Sequence, residues 1–299
     1  MQVKFPLFVT LAQPGTTTAD EFVQATPSDV YLATYSQGER LEDDRLEPKM
    51  KVVADSSRQD ETLVDTLDKA VLYHVDDKLI YKPASGKARV LRTQAEEAIL
   101  LPDGQGFVAQ AKGGLVQHDL AEKQERELFA CPEDRRVVDF QLDREHNRLL
   151  VALGSQVGYS AEATEIVGVP LVDGQAQCVC QDVELHLQSF AVSPDGNKIA
   201  YVNSSDKQVY CRDLDHSGGY QVSIPRLEEE DNEPLDRRSP SFSPDSSRVL
   251  YCRLGVRYGD GYRKDFTSSL YAAPVQGGDL VHVYGDAENE ECMWSAKVA

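Results

Sequence analysis

The chain is short of basic residues, with 31 Lys and Arg against 50 Asp and Glu, so its formal net charge is −19. Binding to a phosphate backbone depends on Lys and Arg displacing counterions, which excludes nucleic acid and anionic membrane surfaces as expected partners. No apolar run approaches the roughly 18 residues that a membrane-spanning helix needs, so no membrane insertion is expected. The chain lacks G-x-S-x-G, H-E-x-x-H and C-x-x-C. These patterns carry the serine nucleophile on its strained turn, the two-histidine zinc site, and the redox or zinc cysteine pair. Three Met and one Trp against 13 Tyr, with few helix-period stretches, lean towards β structure.

Six cysteines are present, among them the C-x-C pair Cys178 and Cys180. In a regular strand these two share a face and stand too far apart for a relaxed disulfide. They read as small apolar strand residues, which suits a reducing compartment and a cytoplasmic location, with the periplasm as the alternative. Residues Phe5–Ala12 form a short apolar stretch after Lys4. Because Pro6 and Thr10 interrupt it, it reads as a strand rather than a leader peptide.

What is present is a repeat. Phe190-Ala-Val-Ser-Pro-Asp-Gly-Asn-Lys-Ile-Ala-Tyr-Val202 matches Phe242-Ser-Pro-Asp-Ser-Ser-Arg-Val-Leu-Tyr-Cys252. In each, an apolar strand end runs into a Ser-Pro-Asp turn and then a second strand. Pro presets φ, Asp bonds nearby backbone, and Gly accepts positive φ. Partial copies begin at Leu63, Ile99 and Phe140, the last with what reads as a longer turn. Aligning Asp68, Asp103, Asp143, Asp195 and Asp245 gives separations of 35, 40, 52 and 50 residues. Four-stranded propeller blades repeat at roughly 40 to 50 residues. A third strand follows each anchor (Leu79–Tyr81, Leu115–Gln117, Ile166–Val169, Val209–Cys211, Leu270–Ala272). A fourth follows turn signals such as Asp173-Gly174 and Gly277-Gly278. No room is left for a crossover helix, which favours radial antiparallel sheets.

These residues resemble the TolB-like propeller repeat, also called the WD40-like or PD40 repeat, over about 240 residues from Thr62 onwards. The resemblance implies a β-propeller and says little of activity, because propellers host many functions. The Glu291–Ala296 segment resembles the first strand of another repeat, while Phe5–Ala12, Val30–Tyr35 and Lys51–Ala54 supply three more strands. The expectation is one domain over residues 1–299: a monomeric all-β propeller of six four-stranded antiparallel blades. The ring is closed by N- and C-terminal strands in one blade, and seven blades is the alternative. The polar segments Gln37–Pro48, Leu227–Arg238 and Gly255–Phe266 read as surface loops.

Candidate chemistry is sparse. His74, His118, His146, His186, His216 and His282 form no close pair. Glu228–Asp231, with Glu233 and Asp236, is contiguous, whereas a calcium loop alternates ligands with turn residues, so it reads as a solvated charged loop. No catalytic residue and no metal ligand is assigned, and a divalent cation is the one cofactor left open. Arg257, Tyr258, Asp260, Tyr262, Arg263 and Lys264 lie in a Gly-rich segment between the second and third strands of one repeat. Tyr and Arg are enriched where proteins grip partners, so these residues are expected to bind a protein or peptide. Trp294, at an inner-strand position, is the remaining partner-binding candidate. The functional expectation is therefore a non-enzymatic binding propeller. The alternative is a metal-dependent lyase or a lactone or sugar hydrolase with its site in the central channel.

Overall fold

The computed structural model describes residues 7–12, 28–34, 49–54, 61–67, 70–75, 78–91, 95, 97–111, 113–121, 124–156, 162–172, 174–181, 187–206, 208–214, 220–221, 233–258, 264–277, 281–284 and 292–298. The first strands are β1 (Leu7–Ala12), β2 (Ser28–Thr34) and β3 (Lys49–Ala54). Next come β4 (Glu61–Leu67), β5 (Ala70–Val75), β6 (Lys78–Lys82) and β7 (Arg89–Val90), then β8 (Ala98–Leu100), β9 (Gly106–Ala111), β10 (Gly114–Asp119) and β11 (Glu125–Ala130). A longer set follows: β12 (Arg135–Asp143), β13 (Arg148–Ser155), β14 (Ala163–Pro170), β15 (Gln177–Gln181), β16 (Leu187–Val192), β17 (Lys198–Asn203), β18 (Val209–Asp213) and β19 (Tyr220–Gln221). The last strands are β20 (Glu233–Phe242), β21 (Arg248–Tyr258), β22 (Lys264–Pro274), β23 (Val281–Tyr284) and β24 (Cys292–Val298).

These strands make an all-β propeller of antiparallel sheets. Among the described residues there are five sheets, which corrects the expectation of six blades and the alternative of seven. Strands β4–β7, β8–β11 and β20–β23 form one four-stranded sheet each, and a fourth has the order β24-β1-β2-β3. The fifth sheet has eight strands, because Ala163 at the start of β14 pairs with Leu187 at the start of β16. Strand β15 pairs β14 further along, over Glu165–Gly168. Hydrogen bonding thus runs without a break from β12 to β19 where two separate blades were expected. A single main-chain bridge between residues 24 positions apart leaves no mark in a repeat pattern.

The repeat turns hold because their side chains bond their own backbone. The Ser193 hydroxyl donates to Asp195 Oδ1 at 2.5 Å and accepts from Lys198 N at 2.9 Å; Ser243 does the same with Asp245 at 2.6 Å and Arg248 N at 3.0 Å. The Ser243 hydroxyl, with Ser247, holds the Asp245 carboxyl down at about 2. The pairs Leu100↔Phe107, Leu142↔Leu149, Val192↔Ile199 and Phe242↔Val249 enclose turns of equal length. The Phe140 copy therefore has no longer turn, and Asp143 falls in the place of Ser193 and Ser243, not of Asp195. Asp143 is fully buried; its Oδ2 accepts from Arg148 Nε at 2.8 Å and lies 2.9 Å from His146 Nδ1. Gly196 of the following turn, at φ +66, packs on this group. A Cβ there would stand 2.6 Å from Asp143 Oδ1, so only glycine fits both the turn and the contact. Asp68 lies outside the described residues.

The core sits between the sheets. Along β13, Leu149, Val151 and Leu153 pack towards β9–β10, while Leu150 and Ala152 pack with Phe190, Ile199 and Tyr201. Along β17, Ile199 and Tyr201 face that cluster, while Ala200 and Val202 join Phe242, Val249 and Tyr251. Successive strand residues point to opposite faces, and both faces of these sheets are buried, so the strands are apolar throughout rather than alternating. Side chains on inner strands also tie neighbouring segments: Asp65 accepts Leu100 N and Asp139 accepts Phe190 N, both at 2.8 Å.

Cys178 and Cys180 do not share a face as expected. Cys180 pairs Ile166 and Cys178 pairs the adjacent Val167, so a bulge lies between the two cysteines. The bulge places them on opposite faces, Cys178 exposed and Cys180 buried.

Candidate functional site

The segments 233–238 and 255–266 are strand, not loop, for most of their length. Strand β20 pairs β21 as far as Val256, and β21 pairs β22 without a register shift from Arg248↔Pro274 to Tyr258↔Lys264. The equivalent ladder of the preceding repeat, β17 with β18, ends at Val202↔Val209, and Val202 corresponds to Cys252. Arg253–Tyr258 and their partners are thus an extension of one sheet, six residues or about 20 Å long. The sequence signal for it is the alternation Leu254, Val256, Tyr258 with Phe266 across the hairpin. Gly and charge in the same stretch obscured it. Residues 228–231 of the acidic run lie outside the described residues.

This three-stranded arm carries the expected partner-binding residues. Arg257 and Tyr258 end β21, and Lys264 begins β22, paired with Tyr258. Asp260, Tyr262 and Arg263 lie outside the described residues. Two further basic residues, not singled out from sequence, lie on the arm: Arg237 of β20 directly opposite Arg253 of β21. Trp294 belongs to a different sheet. It lies at the bulge where Ser295 pairs Thr10 and Met293 pairs Leu11, on the strand that packs against β20, β21 and β22.

The histidines do not converge among the described residues, where no group of three or more His, Cys, Asp or Glu is placed to hold a metal ion. His118 stacks on Phe107 with ring centres 4.7 Å apart, and Nδ1 lies 3.4 Å from Glu125 Oε1. Burial lowers its pKa, and the Glu125 charge opposes that shift. His146 belongs to the Asp143 turn. His74 is on β5 and His282 on β23, while His186 and His216 lie outside the described residues.

Comparison with known proteins adds the fold and no more. No family model and no curated protein matches the sequence. Among solved structures, a chain of the nidogen/laminin complex superposes with a TM-score of 0.60 at 10% identity, covering 98% of this chain and 98% of its own. TolB from Acinetobacter baumannii gives 0.53 at 18% identity, covering 96% and 67%. An oligogalacturonate lyase in complex with manganese gives 0.53 at 12%, covering 92% and 74%. The chain is a β-propeller, with TolB propellers among its structural neighbours. Within that fold, the arm of β20–β22 extends beyond the ladder of the preceding repeat.

Proposed function

We propose that this propeller is a non-enzymatic binding module that captures a protein or peptide partner through the β20–β22 arm. The observation that carries the reading is the unshifted ladder from Arg248↔Pro274 to Tyr258↔Lys264, six pairs longer than that of the preceding repeat and ending on Arg257, Tyr258 and Lys264. A rigid scaffold presenting such a tip lowers the ordering cost of binding, and Tyr and Arg anchors supply most of the energy at interfaces. The neighbour in the nidogen/laminin complex is itself part of a protein assembly, which supports a binding role for the fold. The protein is proposed to act as a monomer, in the cytoplasm.

Tyr258→Ala combined with Arg263→Ala is expected to weaken partner capture at least about 30-fold, at roughly 1–2 kcal/mol per anchor. The melting temperature should stay within a degree or two of the parent. The measurement is quantitative pull-down with both proteins as bait, followed by titration of each partner recovered. Retention of every partner at parental affinity would refute the arm as the binding element.

The second reading, a lyase or a lactone or sugar hydrolase with a divalent ion in the central channel, is supported by the oligogalacturonate lyase neighbour. Elemental analysis of protein purified without chelators separates the two. The binding reading expects less than about 0.1 equivalent of Mn, Ca or Zn. A stoichiometric ion, lost on substituting channel His or carboxylate residues, would favour the enzyme.

A further inference from the structure

His118 lies in the joint between two sheets. On β10 it stands directly opposite Phe107 of β9 on one side and Glu125 of β11 on the other. Phe107 belongs to the core that packs sheet β4–β7 against sheet β8–β11, with Leu72, Leu79, Tyr81 and Leu100. The imidazole lies flat on the Phe107 ring, the planes 6° from parallel, and the side chain is only 14% exposed. A single arginine ties the same joint. Arg89 of β7 lies over the Tyr81 ring at 5.0 Å, and its Nη1 donates across to Leu120 O at 3.3 Å, two residues beyond His118.

Strand alternation sets which titratable groups face this joint among the described residues. They are Asp65 of β4, His74 of β5, Tyr81 of β6, Arg89 of β7, and Glu125 and Glu127 of β11. Asp65 is taken up by Leu100 N. Glu125 Oε1 lies 3.4 Å from His118 Nδ1, but its side chain is 64% exposed, so water screens it. A proton on His118 would place a cation on an aromatic face, largely out of water, in a joint that Arg89 already enters. Burial therefore disfavours the imidazolium, and Glu125 offsets only part of that cost.

We infer that the joint between sheets β4–β7 and β8–β11 is an acid-sensitive switch, opened when His118 takes up a proton. In the open joint His118 is hydrated and titrates at about 6.5, its ordinary value. In the closed joint burial holds it lower. Closure is thus at full strength above about pH 6.5 and weakens as the pH falls below it, until the closed form also takes up the proton. The eight-stranded sheet does not yield in the same way, because main-chain pairing of Ala163 with Leu187 joins its halves. The switch is independent of the β20–β22 arm and of what the arm binds.

The test is amide hydrogen exchange of the full chain, read by mass spectrometry at about pH 7.5 and about pH 5.5, above the range where ordinary carboxylates titrate. Exposure times are corrected for the intrinsic effect of pH on exchange. Protection of β5, β6, β9 and β10 is expected to fall about three- to tenfold at the lower pH, tenfold being the limit one pH unit below the open-state value. Protection of β13 and β17 should hold. His118→Phe keeps the ring stack and cannot take up a proton, so it should abolish the fall while matching the parent at the higher pH. His74→Gln should leave the fall in place. Glu125→Gln, at an exposed position that does not endanger folding, should deepen it by removing the charge that eases protonation in the closed joint. An undiminished fall in His118→Phe would overturn the switch, as would its loss in His74→Gln. An equal fall in β13 and β17 would mean general acid weakening and would overturn it too. Should His118→Phe not fold, Glu125→Gln decides: a fall no deeper than the parent's overturns the switch.

Discussion

Ending the chain at Glu291, before β24, is expected to abolish the cooperative thermal transition of the protein or lower its midpoint by more than about 10 °C. Strand β24 supplies six register pairs to β1, and no other described strand occupies that side of β1. At about 1 kcal/mol net per backbone hydrogen bond, its removal costs about 3–6 kcal/mol before any lost packing against β20–β22 is counted. A domain holds only about 5–15 kcal/mol in total, so the loss approaches the whole of its stability. It also leaves β1 as an open edge, with the aggregation risk that follows. Calorimetry on the two chains tests this, and a synthetic peptide of residues 292–298 added to the truncated chain should restore part of the transition. An unchanged midpoint would show that the sheet joining the two ends contributes nothing to the ring's stability.

Asp143→Ala should lower the free energy of unfolding by about 2–4 kcal/mol. The carboxylate is fully buried, yet it bonds Arg148 Nε at 2.8 Å and His146 N at 3.2 Å, and it lies under Gly196 of the next turn. Alanine leaves Arg148 without that acceptor and opens a small void against Gly196. The loss stays below that of breaking a fully buried ion pair, because Arg148 and His146 are partly exposed and screened by water. Asp143→Ser is the informative companion. Serine holds the equivalent position in two other turns, where its hydroxyl accepts the N–H five residues on. It should recover about half of the loss by rebuilding the turn without replacing the ion pair. Urea unfolding of the three proteins measures both steps. Equal stability of the alanine and serine variants would show that this turn does not use the bonding pattern of Ser193 and Ser243.

Much of the candidate site was legible, but as the wrong kind of structure. Arg257, Tyr258 and Lys264 could be singled out because Tyr and Arg among glycines are unusual in a chain this acidic. That they terminate long paired strands was hidden, because charge and glycine are read as loop signals, while the apolar alternation Leu254, Val256, Tyr258 spans only three positions. Arg237 and Arg253 were missed for a related reason. They are 16 positions apart and meet only through the register of β20 with β21. The same limit applied to Cys178 and Cys180, whose opposite faces depend on a bulge set by β14.

The sequence by itself determined the local architecture: strand after strand of β-forming residues, and the turns at Asp103, Asp195 and Asp245. Those turns are encoded within about six residues, since each Asp accepts the N–H two residues on beside a left-handed Gly or Ser, and at Asp195 and Asp245 a Ser hydroxyl also donates to the carboxyl. Tertiary structure alone decided the number of sheets, the place of Asp143 in its turn and the length of the arm. The first and last rest on main-chain pairing between separate segments, Ala163 with Leu187 and β20 and β22 on either side of β21, while the place of Asp143 follows from the register Leu142↔Leu149. Such bonds join main-chain groups that every residue carries, so no side-chain pattern announces them.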